Sequence, residues 1–589
     1  ERIGGASFEG PEPFEGQQKS WAEARAKAAI SAANLSSEEL LGLLRGSHFN
    51  TSSITADVGY YIGNTLAIPR LGVPALKLQD AGQGFRTTEP GTDSTTTAWP
   101  CMLALASTWD EDLVKLVARA IADEFKGKGA NVLLGPSINV HRVAAGGRNF
   151  EYLSGEDPYL GSRLTRAYVE GAQGQGVMAV VKHFAFNEQE TNRNSMDAEV
   201  GERAKWELYY PPFKAAVDAG VGSFMCSYNR VNGTFACGNP ELLLQDLKKT
   251  LGFQGFVMSD WLAAHNASDL EHGLDQEQPG LLKVSKGPGS NETLDWTVLT
   301  DAALKSLGAD TAKEAAVRIL TAVYRLGLDQ GPSCVPPRCQ QELLSNQTED
   351  TTLGRRHADI ALSATSAAVT LLKNSKGLLP LTSSKIKTLA VLGWAAYDTS
   401  SQFLVGGGSG FVSPGNFVTP IQAIRERASR AGVTVLSPSS GNLSEALALA
   451  DQADVVVVVA GATSAESIDR PSLSLADQAD ELIAAVAARK RTVVLMQTPG
   501  AVLTPWREEV AGIANLFLGG VATGPAWANL LFGDAPPRGR LPIMFPATDS
   551  DVIPVGQELT VTYSEGLLTS YRSPHFKAAF PFGHGLTFT

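Results

Sequence analysis

The chain has no apolar run near the roughly 20 residues that a helix needs to cross a bilayer. It has no basic excess either. There are 49 Lys and Arg against 61 Asp and Glu, a formal net charge of -12. Nucleic acid and anionic membranes both reward a basic face, so neither is an expected partner. Histidine is scarce, with eight residues in 589. No His or second Cys pair stands at zinc spacing, so no metal and no cofactor are expected. An initiating methionine is also missing. Glu1 is expected to follow processing or trimming.

Cysteine is sparse, with five residues. Cys226 and Cys237 flank a turn expected at Asn232-Gly233, and Cys334 and Cys339 bracket Val-Pro-Pro-Arg. Two short-range disulfides fit this spacing, with Cys101 left free; buried thiols fit it too. Asn34, Asn50, Asn232, Asn266, Asn291, Asn346 and Asn442 each precede x-Ser or x-Thr. Seven glycosylation sequons with plausible disulfides point to a secreted protein.

What is present is ordinary globular composition, 43% hydrophobic and 19% charged. The length is too great for one core. Short apolar runs alternate with helical patterns: Val73–Leu78, Ala130–Leu134, Val177–Val181, Gly222–Cys226 and Phe256–Met258. That alternation predicts a parallel sheet with helical crossovers. Each run ends in polar or special residues: Gln79-Asp80, Gly135-Pro136, Lys182-His183, Ser227-Tyr228-Asn229 and Ser259-Asp260-Trp261. In a β/α barrel such ends gather at one face and build the active site.

Helical patterns over Thr297–Leu328 and Asp350–Leu372 flank a segment rich in Pro, Gly and Cys. Beyond it, Thr388–Gly393, Val433–Leu436, Asp454–Ala460, Thr492–Met496 and Ile513–Leu518 predict a second, open doubly wound sheet. The expected division is a barrel domain over 1–328, a linker over 329–349 and an α/β sandwich over 350–589.

Two segments invite a phosphate or metal reading and fail it. Gly406–Gly410 has no Lys-Ser/Thr after it and Phe at 411 where dinucleotide spacing needs Gly. Lys182-His183 has no second His at helical spacing. A better use of the glycines is close approach of backbone to a ligand.

Asp80 with Arg86, Arg148 with Glu151, Lys182, His183, Tyr228 and Trp261 suit a polyhydroxylated ligand. Charged groups bind hydroxyls strongly, and aromatic faces cover the C–H side of a sugar. Glycoside cleavage needs two carboxylates. Asp260 is one candidate, although an Asp there also suits a helix cap. Asp80, Glu151 and Glu466 compete for the second role.

Seven ordered segments carry a resemblance to glycoside hydrolase family 3, the β-glucosidase group. They are Leu78-Gln79-Asp80 with Arg86; Gly147-Arg148-Asn149-Phe150-Glu151 followed by Glu156-Asp157-Pro158; and Lys182-His183-Phe184 with Asn187-Glu188. The others are Met225 to Asn229, Val257 to Trp261, Gly408-Ser409-Gly410, and Pro581 to Leu586.

The resemblance implies a TIM-like barrel or variant followed by an α/β sandwich, with the site between them. It implies a retaining exo-β-glucosidase acting on β-glucosides such as cello-oligosaccharides. Asp260 would be the nucleophile and Glu466, in Glu-x-x-Asp-Arg, the acid/base, roughly 5–5.5 Å apart. Glucose contacts would come from Asp80, Arg86, Arg148, Lys182, His183, Met225, Tyr228, Trp261 and Ser409. Trp261 favours glucosides over xylosides. The chain lacks the His-bearing loop of the family's N-acetylglucosaminidases.

Some features depart from the family pattern. Gln stands for a common Met within Leu274–Gly280, and Gly155 looks inserted. The chain ends where many relatives continue into a fibronectin-like third domain. A β-xylosidase, an exo-β-glucanase, a transglycosidase and a non-catalytic sugar-binding protein are the alternatives. Monomer and homodimer are equally compatible with the sequence.

Overall fold

A computed structural model describes residues 19–47, 61–87, 95–280, 297–330, 352–439 and 442–588, with the backbone of the paired strands 2–3 and 6–7 and of 283–285 and 293–295. Cys334, Cys339 and most of the expected linker lie outside the described residues.

The first sheet contains β1 (Gly63–Asn64), β2 (Lys77–Gln79), β3 (Val132–Leu133), β4 (Met178–Phe184), β5 (Ser223–Cys226) and β6 (Phe256–Ser259). Their order is β6-β5-β4-β3-β2-β1. All pairs are parallel except β1 with β2. The strands are short apolar runs buried on both faces, as helix-covered parallel strands are.

The sheet curls, and its edges are linked. Met258 of β6 bridges Gln276, Glu277 bridges Arg45, and the Ser47 amide donates to the Asn64 carbonyl of β1 at 2.7 Å. The Gln-bearing segment that departs from the family pattern therefore seals the seam. Gln276 Nε2 donates to the Leu43 carbonyl at 3.0 Å and Gln278 Nε2 to Gln276 Oε1 at 2.9 Å.

Helices cover the outside. Glu111–Gly127 begins on an Asp110 cap that accepts from the Leu113 amide at 3.0 Å. It buries Leu113, Val114, Leu116, Val117, Ile121 and Phe125 along one stripe. The expected helix over Thr297–Leu328 is broken at Gly308, whose φ of 85° belongs to the left-handed region.

The second sheet contains β7 (Thr370–Asn374), β8 (Thr388–Leu392), β9 (Thr434–Leu436), β10 (Val455–Gly461), β11 (Thr492–Thr498) and β12 (Gly512–Phe517). The order is β7-β12-β11-β10-β8-β9. Strand β10 opens with five valines, Val455 to Val459, all with no exposed surface. Each contributes about 1.5–3 kcal/mol relative to an exposed side chain, which fixes the strand at the centre.

One expectation fails here. The helix predicted to run to Leu372 stops at Ala368, and Thr370–Asn374 forms β7, antiparallel to β12. Leu371 and Leu372 satisfy either periodicity, and pairing with a distant strand decides between them.

The two sheets have separate cores, but residues of the first half pack into the second. Cys101, Leu103, Ala104 and Phe150 belong to the second cluster. Across the same boundary, His357 Nδ1 lies 2.9 Å from Glu124 Oε1. Cys226 and Cys237 form the expected disulfide, and Cys101 is free and buried.

Candidate active site

The carboxyl ends of β2 to β6 meet two loops of the second sheet around one cavity of about 180 Å³. It is lined by Ile62, Asp80, Arg86, Arg148, Lys182, His183, Met225, Tyr228, Asp260, Trp261, Ser409 and Glu466. Every site residue expected from the sequence except Glu151 lies here. Ile62 is the addition.

Asp260 follows β6. Its Oδ1 accepts from the Trp261 amide at 2.7 Å. Its Oδ2 is buried with no hydrogen-bond partner among the described residues. Asp260 caps no helix, because the next helical turn, Ala267–Leu270, is capped by Asn266. Burial raises the Asp260 carboxyl above the usual carboxylate range, while Arg148 and Lys182 pull it the other way.

His183, on β4, lies 3.6 Å from Asp260 through Nε2 and 3.2 Å from Arg148 Nη1. Burial and the cations Arg148 and Lys182 hold the imidazole well below its ordinary value, so it is neutral. Arg148 can only donate, so Nε2 accepts and Nδ1–H faces the Tyr152 hydroxyl at 3.2 Å. His183 therefore has no proton to give Asp260, which explains the unpartnered oxygen.

Arg148 sits at the centre. Its Nε and Nη2 donate to Glu151 at 2.9 and 2.8 Å, Nη2 also to Ser409 Oγ at 3.0 Å, and Nη1 to Glu466 Oε1 at 3.3 Å. The bidentate bond commits Glu151 to Arg148. Glu151 does not line the cavity and drops out as a rival second carboxylate. Asp80 lines the cavity but is paired with Arg86 at 3.3 Å and Lys182 at 3.9 Å.

Glu466 arrives on the loop after β10. Its Oε2 accepts from the Ser409 amide at 2.7 Å, and its Oε1 lies 2.9 Å from Arg193 Nη2. Burial works against its ionisation. Arg148, Arg193 and the Ser409 amide outweigh burial and hold the carboxyl far below the usual range. Glu466 is therefore ionised.

The glycines of 406–410 approach the chain's own backbone and side chains. A Cβ on Gly406 would lie 2.1 Å from the Phe150 ring, and one on Gly408, at φ 89°, 2.3 Å from Glu466 Cβ. Only glycine allows the two second-sheet loops to zip together there, where Gly407 bridges Ala465.

Several positioning residues escape a reading of the sequence. Asp469 accepts from the amides of Gly147, Glu190 and Thr191 and from the Thr191 hydroxyl, at 2.7–3.0 Å. It thus nails the Glu466 loop to the first half. Glu190 accepts from the Ser467 amide at 2.7 Å and pairs with Arg193 at 2.8 Å. Arg193 also lies over the Tyr228 ring at 4.7 Å. Asp469 and Arg470 stood in the Glu-x-x-Asp-Arg motif, and the unbroken polar run Asn187–Asn194 was the available signal for Glu190 and Arg193.

The glycosyl hydrolase family 3 N-terminal domain model matches residues 17–281, and the C-terminal domain model of the same family matches 369–588. The chain belongs to glycosyl hydrolase family 3. Members of this family are glycoside hydrolases. A probable beta-glucosidase L from Aspergillus terreus is 33% identical, over 97% of this chain and 79% of its own length. Thermostable beta-glucosidase B from Acetivibrio thermocellus is 32% identical, over 89% and 69%.

Among solved structures, a beta-D-glucoside glucohydrolase from Trichoderma reesei superposes with a TM-score of 0.85 at 29% identity, covering 97% of this chain and 80% of that one. Beta-glucosidase 3B from Thermotoga neapolitana, in complex with glucose, gives 0.82 at 30%, covering 96% and 83%. The fold is therefore that of the family, mixed α/β with a curled first sheet.

Proposed function

We propose that the protein is a secreted, exo-acting β-glucosidase that works with retention through a covalent glucosyl-enzyme intermediate. The observation that carries this is that Asp260, whose Oδ2 has no hydrogen-bond partner among the described residues, lines one small cavity with Glu466. We read the curled, seam-closed first sheet as a TIM-like barrel variant. Its strand ends then supply one carboxylate, and the α/β sandwich supplies the other.

The chemistry follows from the two positions. Asp260 Oδ2 attacks the anomeric carbon, and the bond to the leaving oxygen breaks. Glu466 gives that oxygen a proton. In the second step Glu466 takes a proton from water, whose oxygen attacks the anomeric carbon and releases Asp260. Two displacements at one carbon return the β anomer.

At about 180 Å³ the cavity is smaller than the roughly 300–1,000 Å³ of drug-sized sites. It suits a single sugar ring, which supports exo action on cello-oligosaccharides and other β-glucosides. Asp80, Lys182, His183 and Arg148 meet its hydroxyls, and Trp261 covers a face. Secretion is supported by the Cys226–Cys237 disulfide and by exposed sequon asparagines at 34, 232, 266 and 442.

Glu466 must hold a proton before it can donate one. Arg148 is committed to Glu151, so Arg193, nearer the rim, is the contact a leaving group can loosen. Arg193→Ala removes a cation that favours the ionised form, so the alkaline limb of the kcat/KM profile should move to higher pH. Arg193→Lys should leave it close to wild type. An unmoved limb in Arg193→Ala would show that Arg193 does not set the donor.

The substrate reading is tested with linkage-defined glucobioses and aryl glycosides. The 4-nitrophenyl β-glucoside should exceed the β-xyloside in kcat/KM by about tenfold or more, because a site built for the 6-hydroxymethyl group loses contacts without it. Equal or better turnover of the xyloside would favour the β-xylosidase alternative.

A further inference from the structure

A second, larger cavity lies outside the catalytic site. Its volume is about 630 Å³, more than three times that of the catalytic cavity. It opens at the carboxyl end of β8, beside the segments that follow β9 and β10. With β7 set aside, the strands run β9-β8-β10-β11-β12, and the order reverses at β8. Crevices at such a reversal are where open α/β sheets bind ligands.

The lining says what kind of ligand. Trp394, just after β8, is 57% exposed, the most exposed tryptophan among the described residues. Tyr397 lies beside it, its hydroxyl donating to the Val391 carbonyl at 2.7 Å. Asp477, Gln478 and Glu481 present exposed polar groups from the end of the β10 loop and the first turn of helix Ala479–Ala487. Asp477 and Gln478 both have positive φ, 57° and 55°. Among the described residues, no Lys or Arg lines the cavity. Phosphorylated and nucleotide ligands are thereby disfavoured. A flat aromatic face among hydroxyl-binding acceptors fits a neutral sugar.

We propose that this cavity is a second carbohydrate-binding site, in which a neutral oligosaccharide stacks one ring on Trp394 and hydrogen-bonds Asp477, Gln478 and Glu481. The site stands independently of the catalytic reading. It shares a loop with it, because Glu466 and Asp477 both lie between Gly461 and Ala479. Two sources could supply the sugar: a free oligosaccharide, or this chain's own N-linked glycan at Asn442, which lines the same cavity.

The test is calorimetry with a sulfur-linked, non-hydrolysable cello-oligosaccharide on protein freed of N-glycans. Wild type should bind at two sites and Trp394→Ala at one, with kcat/KM on 4-nitrophenyl β-glucoside unchanged within about twofold. If the catalytic reading alone fails, wild type binds at one site and Trp394→Ala at none. If the second site appears only after glycan removal, or in Asn442→Gln, the occupant is the chain's own glycan and the proposal holds. Equal stoichiometry and affinity in wild type and Trp394→Ala overturns it.

Discussion

Asp260→Asn should abolish turnover of every β-glucoside, by a factor of about 10⁴ or more in kcat. Asn keeps the size of the side chain and an oxygen to accept from the Trp261 amide. It loses the carboxylate oxygen that has no donor of its own. The fold should survive. The charge removed is one that burial disfavours, and Arg148 and Lys182 keep Glu151 and Asp80 as partners. Glucose binding should therefore persist while chemistry stops. Asp260→Gly with azide should give α-glucosyl azide, because azide replaces the attacking oxygen on the same face. A residual rate within tenfold of wild type in Asp260→Asn would remove Asp260 from the chemistry.

Glu466→Ala should show a different signature, set by the leaving group. An acidic leaving group such as dinitrophenolate departs without a proton, so its first step should be nearly spared. Cellobiose needs the proton and should lose roughly 10²–10⁴-fold. With activated substrates the second step becomes limiting, because water has lost its base. Azide needs no base, so it should raise kcat and yield β-glucosyl azide. The variant should fold, since Arg148 stays bonded to Glu151 and Arg193 to Glu190. Equal losses on all leaving groups would assign the proton donor to another residue.

Much of the site was legible because its chemistry sits at strand ends. A buried strand is a short apolar run, and the first one or two polar residues after it mark the mouth of the sheet. Asp80, Lys182, Tyr228 and Asp260 are all of this kind. The seam closure was not legible. Arg45, Gln276 and Glu277 look like helix-end and loop residues until their backbone partners are known. Strand β7 was hidden for a related reason, its two leucines fitting a helix equally well. Arg193, Glu190 and Asp469 were missed because their roles depend on contacts between residues nearly 280 positions apart. Local pattern carries no information about such pairs. The sequence reads the glycines of 406–410 as a place where backbone approaches a ligand. In the structure Gly406 approaches Phe150 and Gly408 approaches Glu466.

The most direct test of the account is the anomer released first. Proton NMR of 4-nitrophenyl β-glucoside hydrolysis, read before mutarotation, should show β-glucose appearing first and α-glucose growing in later. Two displacements, by Asp260 and then by a water that Glu466 activates, require that order. Initial release of α-glucose would mean a single displacement by water and would contradict the assigned roles of both carboxylates.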